Sequence, residues 1–135
     1  MKRFLLDSNA ASDYIFRRRG VRERAMQVRS TGAKIGIGLP VVAELLGGIE
    51  YSDSRDKNLD IVNRHLHLFR IWPLTMEATR TYGRIFAETR RAGRTMQTMD
   101  LLIASIALSL GNCTVVSTDS DMSAVPGLAV ENWTT

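Results

Sequence analysis

The sequence predicts an α/β domain in which helices pack around a parallel sheet, and three features carry that prediction. Short apolar runs alternate with longer helical segments along the whole chain, the pattern of a sheet built by crossovers. Phe4-Leu5-Leu6 and Cys113–Ser117 are compact apolar runs that end at polar residues, as strands of a covered sheet do. Leu101–Leu110 is apolar nearly all round, which suits a helix in the middle of a core.

In chain order, Arg3–Leu6 reads as a buried strand. Ala10–Arg18 reads as a helix entered through Ser8 or Asn9, and Val21–Ser30 as a basic second helix. Lys34–Gly38 is a strand rich in Ile and Gly, and Pro40 fits the first turn of a helix running to about Ile49. Arg55–Phe69 is helical, and Arg70–Trp72 is a short strand closed by Pro73. Thr75–Arg91 is amphipathic, with Tyr82, Ile85, Phe86 and Thr89 on one face and Arg80, Arg84 and Glu88 off it; Gly93 stops it. The central helix follows, with Thr98 as its expected cap. Cys113–Ser117 and Leu128–Val130 complete the strands. In such sheets, sites gather beyond the carboxyl ends of the strands.

The 135 residues suit one domain, 1–135, without repeats or linkers. Met-Lys-Arg is followed by only three apolar residues, so no secretory leader is expected, and no run is long enough to span a bilayer. A single cysteine, Cys113, excludes an internal disulfide and points to the cytoplasm. Of the 18 basic residues only Lys2, Lys34 and Lys57 are lysines, and the net charge is +4. Arg17, Arg18, Arg19, Arg22, Arg24 and Arg29 crowd one region. They form either a solvated helical face or a footprint for nucleic acid or an acidic partner. His65 and His67 stand two apart on a predicted helix, face different ways and are expected at the surface rather than as ligands.

Four acids stand where apolar residues would be expected. Asp7 ends the first strand, Glu44 interrupts Leu39–Leu46, Asp100 precedes the most apolar helix, and Asp119 follows Val115–Thr118, with Asp121 two residues on. Each has an ordinary explanation: helix capping, the helix dipole or an Asx turn. Together they are informative. In a parallel sheet, strand ends and the starts of the following helices share one edge, so the four carboxylates converge. Their mutual repulsion is tolerable if a hard cation sits among them. Oxygen donors without Cys or His suit Mg²⁺ or Mn²⁺, and an acidic centre on an arginine-rich chain suits a metal-dependent nuclease.

The segments FLLDSNA, LPVVAELLGG, MDLLIASIAL, VVSTDSDM and VPGLAVENW, in this order across nearly the whole chain, resemble the PIN domain, specifically the VapC-type ribonuclease toxins of bacterial toxin–antitoxin modules. The resemblance implies a three-layer α/β/α sandwich with a central parallel sheet of about five strands, and a Mg²⁺- or Mn²⁺-dependent endoribonuclease. It places the family's acids on Asp7, Glu44 and Asp100. The fourth falls on Asp119, with Asp121 as an alternate or outer ligand. Ser8, Asn9 and Thr118 occupy the supporting polar positions. Arg17–Arg19 would attract the RNA backbone. The family also implies a homodimer, for which Ile49, Tyr51, Ile61 and Leu68 are candidates for the seam or the core, and a VapB-like antitoxin whose C-terminal segment crosses the acidic groove. Departures are few: Met122 stands where Phe is common, the Ser120–Val125 loop is about one residue short, and Ala10 is smaller than usual.

Two rival readings remain on the residues. A haloacid-dehalogenase-like phosphatase would use Asp7 as nucleophile, but it wants a second Asp where Asn9 stands and a lysine later than Lys57. A catalytically inactive RNA- or protein-binding module would have no need of all the acids.

Overall fold

The computed structural model describes all residues, 1–135. Five strands form one parallel sheet: β1 (Arg3–Leu6), β2 (Lys34–Gly38), β3 (Arg70–Trp72), β4 (Cys113–Val116) and β5 (Ala129–Glu131), in the order β3-β2-β1-β4-β5. The helices are α1 (Ser8–Ile15), α2 (Val21–Arg29), α3 (Leu39–Glu50), α4 (Arg55–Leu66), α5 (Met76–Arg91), α6 (Thr98–Leu110) and α7 (Ser120–Ser123). The chain steps one way from β1 to β3, then returns past β1 to β4. Because crossovers of parallel strands are right-handed, the outgoing helices and the returning α5–α6 pair cover opposite faces. Most contacts agree: α1 packs on α2 and α4, whereas α5 packs on α6 and α6 on β4; α3, which carries Glu44, touches both α4 and α6. The result is the expected three-layer α/β/α sandwich. No helix is long and apolar enough to cross a membrane.

The strand order reverses between β1 and β4, and this is the switch point where a doubly wound sheet opens a crevice. β1, the middle strand, buries Phe4, Leu5 and Leu6. Ile103, Ala104, Ile106 and Ala107 of α6 are buried too, as an all-apolar helix requires. Met122 is fully buried, so it fills the Phe position as a plug. Two glycines of β2 answer to packing. A Cβ at Gly36 would collide with the Arg70 carbonyl, and one at Gly38 would stand 2.8 Å from Ile106 Cδ1.

Several boundaries differ from the sequence reading. α1 begins at Ser8, so neither Ser8 nor Asn9 is its cap; Asp7 is, accepting a hydrogen bond from the Ala10 N–H at 2.8 Å. It ends at Ile15 rather than Arg18, because Arg17 and Arg19 turn to φ of 52° and 56°. Arg22 Nε and Nη2 donate to the carbonyls of Tyr14 (2.9 Å) and Ile15 (2.7 Å) in the last turn. α4 stops at Leu66, three residues early, with His67 as its C-cap. Thr98 lies inside α6, whose cap position is Gln97, and no side chain bonds there. Phe86 of α5 is exposed while Ala78, Thr81, Ile85 and Thr89 are buried, so the buried stripe is narrower and turned. α7 is an added helical turn. His65, expected at the surface, is half-buried and lies edge-on to Tyr14. Its Nδ1 sits 2.9 Å from the Ile61 carbonyl, which only accepts, so Nδ1 carries the proton and Nε2 accepts from Arg22 at 3.2 Å. Of the seam candidates, Ile49 belongs to the core and Ile61 packs half-buried against it, whereas Tyr51 and Leu68 are 93% and 58% exposed.

Replacing Gly36 by Ala is expected to cost about 1–3 kcal/mol, the range for overpacking against unyielding backbone. Urea unfolding of the variant checks this, and an unchanged midpoint would contradict the close β2–β3 approach.

Candidate active site

At the C-terminal edge of the sheet, a cavity of about 230 Å³ is lined by Asp7, Glu44, Asp100 and Asp119. Ser8, Asn9, Gln97 and Met99 complete its wall, and no Lys, Arg or His lines it. Each acid arrives on a different element. Asp7 continues β1, its N–H donating to the Val116 carbonyl at 3.1 Å. Glu44 is in the second turn of α3, Asp100 in the first turn of α6, and Asp119 caps α7. The convergence expected from strand ends and helix starts is therefore present. No three acids close on a point tightly enough to grip one ion directly.

Two of the four acids, Asp7 and Asp100, have raised pKa values. Asp7 is only 6% exposed. Burial raises its pKa above the usual carboxylate range, against hydrogen bonds from Ser117 and the Ala10 N–H that lower it; Asp119 and Asp13 add repulsion. Burial pushes the Asp100 carboxyl up to about 6, and Asp119, Asp7, Glu44 and Asp121 add repulsion. Such perturbation in a cleft marks functional sites.

The supporting residues differ in part from those expected. Ser8 and Asn9 line the cavity, and Ser8 Oγ is buried without a hydrogen-bond partner. Thr118 is exposed and outside it. The hydroxyl that serves the site is Ser117, which bonds Asp7 and accepts the Asp119 N–H at 3.0 Å. Asp121 is exposed and absent from the wall; its N–H donates to Asp119 Oδ1 at 2.9 Å, so it fixes Asp119. Gln97 and Met99 carried no sequence signal. Of the arginines, Arg17 pairs with Glu23 away from the cavity. Arg18, paired with Asp13, lines an adjoining groove of about 470 Å³ that shares Ser8 and Glu44 with the acidic cavity. Arg19 borders a separate hollow beside Asn9. Neither histidine lines the acidic cavity.

A parallel sheet whose central strand ends on a buried Asp, with three more acids at the same edge, is the arrangement of the PIN domain. A PIN domain profile matches residues 4–128, and the chain belongs to that family. It is 25% identical to ribonuclease VapC2 of Rickettsia felis over 96% of this chain and 97% of that one. It is 27% identical to the tRNA(fMet)-specific endonuclease VapC of Salmonella typhimurium over 98% and 99%. Among solved structures, VapBC2 of Rickettsia felis bound to a promoter DNA fragment superposes with a TM-score of 0.89 at 26% identity, covering 97% of this chain and 98% of that one. DNA-bound VapBC of Salmonella typhimurium superposes with a TM-score of 0.89 at 27%, covering 98% and 99%.

The raised Asp100 pKa has a defined consequence. An acid whose folded pKa exceeds its unfolded value favours folding while protonated. The contribution is full below about pH 4 and is lost as pH rises through about 6. In metal-free buffer, Asp100→Asn should therefore gain stability over the parent as pH goes from 4 to 7. Urea midpoints of both proteins across that range check it, and a constant difference would contradict it.

Proposed function

We propose that the protein is the ribonuclease toxin of a toxin–antitoxin pair, cutting RNA phosphodiester bonds with Mg²⁺ or Mn²⁺ held among Asp7, Glu44, Asp100 and Asp119. The observation that carries this reading is the acidic cavity itself, with its four carboxylates and no cation of the chain's own. The donor set fits a hard ion. All donors are oxygens, and their spread suits an ion that takes one or two carboxylates directly and reaches the rest through water. Bound there, such an ion supplies water activation and offsets charge on the reacting phosphate. The chain's residues do the holding. Ser117 and the Ala10 N–H aim the Asp7 carboxylate, the Asp121 N–H and the Ser117 hydroxyl fix Asp119, and Asn9 and Gln97 offer amides to RNA or water at the rim. Arg18, exposed in the adjoining groove, would exchange its Asp13 pair for a phosphate of the bound strand.

The same groove suits the antitoxin. Phe16, Leu45 and Ile49 give it apolar walls, which take a helical segment's apolar side chains. A basic residue of that segment would reach Glu44 and the acids beyond. The relatives named VapBC are toxin–antitoxin complexes, which supports the partnership. A homodimer is proposed by the same likeness, with the exposed Tyr51 at its seam; light scattering at micromolar concentration should give twice 15.1 kDa.

Asp7→Asn and Asp100→Asn keep shape and remove charge. Each is expected to lower cleavage of a fluorogenic RNA by at least ~100-fold, on the order of 3 kcal/mol in the barrier, with cooperative melting retained. EDTA should abolish the parent's activity. Folded variants that cut like the parent, or cleavage that survives EDTA, would overturn the mechanism.

A further inference from the structure

The opposite end of the sheet holds a second hollow, of about 330 Å³, with the reverse charge. Arg29, Lys34, His67 and Arg70 line it, and no carboxylate does. Lys34 and Arg70 open β2 and β3, whereas Asp7 and Asp119 follow the ends of β1 and β4. None of the four basic side chains takes part in an ion pair. Arg29 donates from Nη1 to the Tyr14 hydroxyl at 3.2 Å, while its Nη2 is buried with no hydrogen-bond partner. The Arg29 guanidinium also lies over the Tyr14 ring, 6.0 Å from its centroid, so it is committed to Tyr14 and lends the hollow its charge, while Lys34 and Arg70 are the cations open to a ligand. The strand register adds a second observation. Arg70 pairs with Gly36, two residues beyond Lys34, so Lys34 and Arg70 point to one face of the sheet. The rest of the wall is apolar, including Leu68 at 58% exposure.

A hollow half basic and half apolar matches a nucleotide better than an acidic peptide. The planar fork of the exposed Arg70 suits phosphate oxygens, and Leu68 presents an apolar surface to a base. We propose that this hollow is a nucleotide subsite that takes a backbone phosphate of an RNA strand on Lys34 and Arg70, with Arg29 adding charge behind them, and a base against Leu68. The inference rests on the ribonuclease reading and extends it to a remote contact. The strand length puts the two sites roughly 15 Å apart or more, so a folded RNA reaches both and a dinucleotide does not.

The test measures binding in the Asp7→Asn background, which removes cleavage. Unfractionated transfer RNA and a dinucleotide are titrated at several salt concentrations against that protein, against one also carrying Lys34→Gln and Arg70→Gln, and against a control of equal charge with Arg80→Gln and Arg84→Gln. The subsite variant should bind transfer RNA about tenfold more weakly, with a salt slope smaller by about 1–2, and bind the dinucleotide unchanged. The control should match its parent. Melting checks folding, and Arg70→Gln alone, at an exposed position, carries the test if the pair fails to fold. Parent-like transfer RNA affinity and slope in the subsite variant would overturn the proposal. So would a loss confined to a polyglutamate probe, which would assign the hollow to an acidic protein, or one confined to inorganic phosphate, which would make it a small-anion site. A parent that cleaves RNA beside such a result leaves the ribonuclease reading standing; a parent that neither cuts nor binds RNA removes both.

Discussion

Asp7 is a carboxylate at the end of the central strand, almost closed off from solvent, with three further acids around the same cavity. A buried charge of that kind is costly unless it is hydrogen-bonded or paired with an opposite charge. The chain provides the hydrogen bonds and withholds the opposite charge. Asp7 caps α1, accepts the Ala10 N–H and bonds Ser117, while Asp119 is held by its own short turn. What these contacts leave unrelieved is burial first and mutual repulsion second, which together push the Asp100 carboxyl up to about 6. The fold concentrates that repulsion where the strand order reverses and a crevice opens.

The distribution of arginine completes the picture. An arginine-rich sequence invites the idea that every guanidinium serves RNA, but the structure divides the labour. Arg22 closes the C-terminal end of α1 and holds His65 of α4. Arg55 binds Glu50, whose carboxyl it keeps below the usual range, and Arg64 binds Asp60 within α4. Arg18 is paired with Asp13, so the charge that remains for a partner is that of residues outside any ion pair, such as Lys34 and Arg70. Surface pairs like Arg55–Glu50 add little stability; their role is to occupy charge.

Much of this was legible in the sequence because strands buried on both faces have no polar residue to spare. Phe4-Leu5-Leu6 followed by Asp7 announces both a strand and its end. The α/β sandwich around a parallel sheet follows from alternation and from the all-apolar α6, and the three layers follow from the resemblance to the PIN domain. What escaped depends on side-chain direction at the end of β4. Ser117 and Thr118 are adjacent hydroxyls that composition cannot distinguish, but side chains alternate along an extended chain. Ser117 still donates its N–H to Glu131 and faces Asp7, which sends Thr118 to solvent. The early end of α1 escaped likewise, since it rests on a distant partner, Arg22, and on Arg17 and Arg19 adopting positive φ, which arginine rarely signals.

The central claim is that the four acids form one divalent-ion site. Titrating Mn²⁺ into isotope-labelled protein and following paramagnetic broadening of the backbone amides tests it directly. The account predicts that the amides of Asp7, Ser8, Glu44, Asp100 and Asp119 broaden first, at substoichiometric Mn²⁺, and that Asp100→Asn weakens the effect. Broadening centred elsewhere, as at Glu50 and Asp56, or uniform broadening without preference for this edge, would contradict it.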